Sequence, residues 1–114
     1  MHLEIRSTNI HFGDSVRDYI ARRMESAIGQ HTRRVGLTTV HFADINGPHG
    51  GKDKQCRIAA RLRGGKTIRV EDTDADLIKV IDRAAERVKH TLGRERERRR
   101  SRRRRSGSQK PTSD

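Results

Sequence analysis

Aromatic side chains are almost absent: a chain of 114 residues has no tryptophan, one tyrosine and two phenylalanines. All three, Phe12, Tyr19 and Phe42, fall at or beside positions whose spacing assigns them to a core, which leaves no platform for stacking exposed bases. Sequence-specific recognition of single strands is therefore disfavoured. A single cysteine, Cys56, cannot form an internal disulfide, and its strand-like setting marks it as a small buried apolar group. No run of ~18 apolar residues exists to span a bilayer, and the arginine-rich end carries no Trp, Phe or Leu to anchor on one, so no membrane partner is expected. Met1-His2-Leu3-Glu4 lacks the hydrophobic stretch of a secretory signal, and a cytoplasmic location is expected. His2, His11, His31, His41, His49 and His90 are scattered, with no H-x-x-x-H pair, so neither a metal nor another cofactor is expected. Nor is an enzyme: no nucleophile stands beside a base, and there are no paired carboxylates in an apolar context.

What the chain has instead is positive charge. The formal net charge is +12, and residues 94–105 hold nine arginines against two glutamates. Hydrophobic residues make up only 30%, so the core must be thin, and the last twenty or so residues have too few to join it. This divides the chain into a folded domain over 1–93 and a basic tail over 94–114, the latter expected to be disordered when free from Ser101 onward. Nine arginines in twelve residues exceed what solubility requires, and charge on both body and tail points to a polyanion.

From the amino terminus, His2 to Asn9 alternates Leu3, Ile5 and Ser7 against Glu4, Arg6 and Thr8, the pattern of a strand with one buried face. Gly13 and Asp14 open a helix whose apolar set is Val16, Tyr19, Ile20, Met24, Ala27 and Ile28, with Gly29 just past its end. Arg23 lies inside that apolar arc, either with its stem on the core and its head in water or as a phosphate contact. Val35 to Ile45 reads as a strand with Thr38, Val40 and Phe42 inward, the register Leu37, Thr39 and Ala43 being weaker. Asn46 to Asp53 is a Gly-rich hairpin loop without P-loop spacing.

Lys54 to Arg63 alternates cleanly, with Cys56, Ile58, Ala60 and Leu62 inward and Arg57, Arg61 and Arg63 outward. Ile68 and Val70 mark the strand that follows. Paired antiparallel residues share a face, so each pair must sum to an even number and the turn must be odd in length. A three-residue loop with one glycine at positive φ is predicted, placing Arg57, Arg61, Arg63 and Arg69 together on the open sheet face.

Thr73 and Asp76 match the capping box before a second helix, which accounts for the acids Asp72, Asp74 and Asp76 better than a metal site does. Leu77, Ile81, Ala84, Ala85, Val88 and Leu92 share one face of that helix. Lys79, Arg83, Arg87, His90 and Arg94 form a separate basic stripe, which assigns them to RNA contact together with Arg57 and Arg61 of the sheet and Arg23 of the first helix.

The resulting class is α+β in the order β-α-β-β-β-α, a four-stranded mixed sheet with two helices packed on one face. The first two strands are parallel if they are neighbours. The last five elements repeat the order of double-stranded RNA-binding domains, a likeness of order alone.

A closer likeness lies in the residues. Arg17-Asp18-Tyr19-Ile20-Ala21-Arg22-Arg23-Met24, then Ala75-Asp76-Leu77-Ile78-Lys79-Val80-Ile81-Asp82, and Arg87-Val88-Lys89-His90-Thr91-Leu92 together resemble the ribosome hibernation-promoting factor and ribosome-associated inhibitor family over about residues 2–95. The resemblance implies the same β-α-β-β-β-α fold and a place on the small ribosomal subunit, in the messenger and transfer RNA channel, silencing idle ribosomes. It also implies that Arg87, His90 and Arg94 face ribosomal RNA. His90 stands where a permanently charged residue is common, and the Arg-rich tail departs from the family pattern. The expected partners are thus the small subunit and its ribosomal RNA, in competition with messenger and transfer RNA, with the protein monomeric off the ribosome. A general RNA- or DNA-coating protein and a regulator acting through a protein partner are the alternatives.

Overall fold

The computed structural model describes residues 2–45 and 53–109, with side chains described as far as Arg102, and the Gly-rich connection at 46–52 lies outside the described residues. The element order is β1 (His2–Thr8), α1 (Asp14–Ile28), β2 (Val35–Asp44), β3 (Lys54–Leu62), β4 (Thr67–Asp74) and α2 (Leu77–Gln109), with a 3₁₀ turn at Gly29–His31 after α1. The sheet order is β1-β2-β3-β4, β1 lying parallel to β2 and the other pairs antiparallel. The expected class and order are those found.

Side-chain alternation explains the layering. Val40, Phe42, Cys56, Ile58, Ala60 and Ile68 are buried on one sheet face and join Ile20, Met24, Ala27 and Ile28 of α1 and Ile81, Ala84, Ala85, Val88 and Leu92 of α2 in a single core. Val80 also belongs to this core, fully buried, although it falls outside the six-residue apolar face read from the sequence. Phe12 meets Phe42 edge-on, with centroids 5.9 Å apart, so the aromatics are consumed by packing. Burial pushes the Cys56 thiol up to about 12, with Asp72 adding to the shift, which makes it the inert apolar group its spacing implied.

Three local features refine or differ from the sequence expectation. The favoured register of β2 is the one found, with Thr38, Val40 and Phe42 buried and Leu37 of the weaker one 39% exposed, but Val35, of the opposite parity, is buried as well. A register shift between Val35 and Thr38 reconciles them, as a β-bulge does by adding one residue to one strand. In the β3–β4 hairpin Ile58 pairs with Val70 and Ala60 with Ile68, as the even-sum rule requires. Leu62 donates to Lys66 O at 2.7 Å, leaving a three-residue turn, but Gly64 and Gly65 both take positive φ (95° and 97°), where one glycine was expected. Finally, β4 runs on through Asp74, so Thr73 lies in a strand and not at a cap. Asp76 alone caps α2, its carboxylate accepting the Ile78 N–H at 2.8 Å and the Lys79 N–H at 3.2 Å.

The helix α2 does not stop near Gly93 but continues through Ser101 to Gln109, where disorder was expected. Arginine is a good helix former, and the ~1 kcal/mol penalty of an interior glycine is outweighed by anchoring on both sides of it. Leu92 is fully buried, and Glu95, beyond the assigned domain boundary, is 5% exposed and accepts the Lys66 ammonium at 2.6 Å.

Candidate nucleic-acid interface

Asp76 fixes the start of α2 and thereby its rotation, which leaves Lys79, Arg83, Arg87, His90 and Arg94 on its exposed side. The five do not form a uniform row. Arg83 reaches the β4 edge, donating to Thr73 O at 2.7 Å and to Asp74 at 2.6 Å. Arg87 donates to Glu71 O at 2.9 Å, and its Nε lies 3.5 Å from Asp72. Asp72 and Asp74 therefore neutralise part of the stripe, a role that sequence reasoning assigned wholly to the helix start. Asp74 does retain a link there, accepting the Asp76 N–H at 2.9 Å, and this bond, followed by Arg83 among the charges, holds its carboxyl low. His90 lies 3.6 Å from Glu86, Arg94 donates to Thr91 at 3.4 Å, and Lys79 is exposed.

Arg23 is placed differently. Its Nε donates to Asp82 Oδ1 at 3.0 Å and its Nη2 to the Asp82 carbonyl at 3.1 Å, while Tyr19 donates its hydroxyl to the same carboxylate. This tie between α1 and α2 occupies the guanidinium, so Arg23 serves helix packing first.

Arg57, Arg61 and Arg69 are exposed on the open sheet face, opposite the layer of helices, as their alternation predicts. With Thr39, His41 and Glu71, Arg57 and Arg69 border a shallow cleft of about 420 Å³ there. Arg57 donates to Glu71 at 2.9 Å, and the Glu71 carbonyl holds Arg87, so one residue joins the sheet group to the helix group around the β4 edge. Arg63, expected with this group, lines another cleft.

That second cleft, of about 320 Å³, is lined by Arg34, Arg63, Arg96, Arg99 and Arg100. Arg34 and Arg63 are neighbours because the Arg63 N–H donates to Arg34 O at 2.9 Å, beside the bulge. No local pattern could reveal the site, since it joins positions 34, 63 and 96–100 through tertiary packing. Sequence reasoning saw only the charge of the last three. Buried Glu95 lies near, held low chiefly by its hydrogen bond from Lys66, and it is also 3.3 Å from Arg98.

His31, also buried, has its pKa lowered from 6.5 by burial first and then by Arg34 and Arg96. The unfolded chain therefore takes up a proton before the folded one, so this contribution to stability is present above pH 6.5 and lost as pH falls through the lowered value. Urea unfolding should show a lower midpoint at pH 5.5 than at pH 7.5, with His31→Gln flattening the difference. An undiminished difference in the variant would assign it to another group, since lowered Asp74 and Glu95 act only below about pH 4.5.

Among the described residues no group of His, Cys, Asp and Glu could hold a metal ion, and no helix is long and apolar enough to cross a membrane. What the arrangement offers is guanidinium donors suited to phosphate. Two solved structures share the fold. The Protein Y N-terminal domain of Thermus thermophilus is 27% identical, with a TM-score of 0.66 over 82% of this chain and 98% of that one. A ribosomal subunit interface protein from Coxiella burnetii is 15% identical, with a TM-score of 0.67 over 85% of this chain and 99% of that one, a likeness of fold alone. No curated protein matches. The family model described as Sigma 54 modulation protein / S30EA ribosomal protein matches residues 3–100, and the chain belongs to that family.

Proposed function

We propose that this protein is a ribosome-associated hibernation factor that binds the small ribosomal subunit through ribosomal RNA, occupies the channel used by messenger and transfer RNA, and so silences idle ribosomes. The observation that carries this reading is basic charge wrapped around the β4 edge of a domain that belongs to the Sigma 54 modulation protein / S30EA ribosomal protein family. On the helix side the contacts are Lys79, Arg83, Arg87, His90 and Arg94; on the sheet side they are Arg57, Arg61 and Arg69. Arg23 contributes by holding α2 in place. With its aromatics in the core, the protein recognises phosphates and shape, as suits folded RNA.

Inhibition is by occupancy. Two ligands that need the same RNA surface each weaken the other by the same factor. The affinity of small subunits for this protein should therefore fall at least tenfold once messenger and initiator transfer RNA are bound. Equal affinity in both states would exclude a shared site. Equal affinity for subunits and for random RNA at physiological salt would instead identify a general coating protein.

A further inference from the structure

We propose that the five-arginine cleft is a binding site for a linear oligophosphate, of which inorganic pyrophosphate is the simplest member. Several cations elsewhere on the body have acidic partners: Arg23 has Asp82, Arg57 has Glu71, and Arg83 and Arg87 have Asp72. In this cleft Arg34 is the exception. All three guanidinium nitrogens of Arg34 are shielded from solvent and have no hydrogen-bond partner. Such donors are costly to leave unpaired, and a guanidinium cannot escape the cost by losing its proton, even with burial and Arg99 pressing its pKa down.

The surroundings add charge and little compensation. Arg96, Arg99 and Arg100 follow one another at helical i, i+3 and i+4 spacing, which brings them to the same side of α2. Two acids offset part of this charge: Glu95, tied to Lys66 at 2.6 Å and Arg98 at 3.3 Å, also acts on Arg34, and Glu97 lies 3.9 Å from Arg100. Converging guanidinium forks match phosphate oxygens. A volume of about 320 Å³ lies at the small end of ligand sites, with room for more than one phosphate. Among the described residues no apolar or aromatic side chain lines the cleft to grip a base, a sugar or an acyl chain, so recognition falls on the phosphate chain itself. Five cations also exceed what one phosphate can neutralise, which favours linked phosphates over orthophosphate.

The test is calorimetric titration of the full chain with sodium pyrophosphate at ~0.15 M salt, with orthophosphate in parallel. One saturable site is expected, at least tenfold tighter for pyrophosphate than for orthophosphate. Arg34→Gln should weaken it at least tenfold, and so should Arg99→Gln, an exposed change that leaves the fold intact if the first does not. Exposed Arg22→Gln, on α1, should change it less than twofold. Several equal weak sites, or equal losses in the Arg22 and Arg99 variants, would mean diffuse attraction and overturn the proposal. So would binding of a short RNA duplex that depends on Arg34 while pyrophosphate fails to bind, which would assign the cleft to RNA. No ribosome enters the assay, so its outcome is independent of the proposed function.

Discussion

Exchanging Lys79, Arg83, Arg87 and Arg94 for glutamine in one chain is expected to weaken small-subunit binding nearly a thousandfold. Each charge-assisted contact to phosphate contributes about 1 kcal/mol or more, and four sum to about 4 kcal/mol, close to three powers of ten. The logarithmic salt slope should also fall by about one for each phosphate left without its cation. The fold should survive with a modest penalty. Lys79 and Arg94 support no other element, whereas Arg83 and Arg87 tie α2 to Thr73, Asp74 and Glu71 of β4. Those ties are half-exposed, worth at most about 1 kcal/mol each, so the melting temperature should drop by some degrees in the Arg83/Arg87 pair and hold in the Lys79/Arg94 pair. Binding of the fourfold variant at full strength would shift the interface to the sheet face, where Arg57, Arg61 and Arg69 would be exchanged next.

Ending the chain after Gly93 should be far more damaging than ending it after Arg102. The shorter cut removes Glu95, buried beside the Lys66 ammonium, and leaves fully buried Leu92 in a fraying final turn. Losing a charge-assisted bond and part of a core leucine costs about 2–3 kcal/mol. In a domain of this size that corresponds to a fall of roughly 8 °C or more in melting temperature. The longer chain keeps both anchors and should melt like the full protein, while losing about 2 to 3 from its salt slope with Arg103, Arg104 and Arg105. Matching melting temperatures for the two cuts would mean that the body ends at Gly93 after all.

The contrast between these two experiments follows what periodicity can and cannot reveal. Strand β3 and helix α1 were legible because a period of two and a period of 3.6 each carried one buried face, with Arg23 the one charge inside that of α1. Strand β2 was less clean because Leu37 is apolar yet exposed, and because a bulge switches the buried parity between Val35 and Thr38. The basic stripe was legible as a stripe. Its partial neutralisation was not, because Asp72 and Asp74 satisfy a local capping pattern equally well on paper, and only the extra length of β4 turns them toward Arg83 and Arg87. Arg34 gave no sign at all, since a basic residue before a strand is ordinary until the end of α2 is laid across it.

Because α2 continues unbroken, the arginines are mounted on a rod of fixed pitch. A rise of ~1.5 Å per residue stretches residues 94–105 over about 18 Å, and their nine arginines less two glutamates give roughly one net positive charge per 2.6 Å of axis. Duplex nucleic acid carries one negative charge per ~1.7 Å. The two linear charge densities are comparable, so the free protein must gather its own sheath of small anions, as a duplex gathers cations. Docking then strips both sheaths. The mixing entropy of the released ions comes from each partner, and a helix cannot spread its charges apart to reduce that sheath as a flexible tail could.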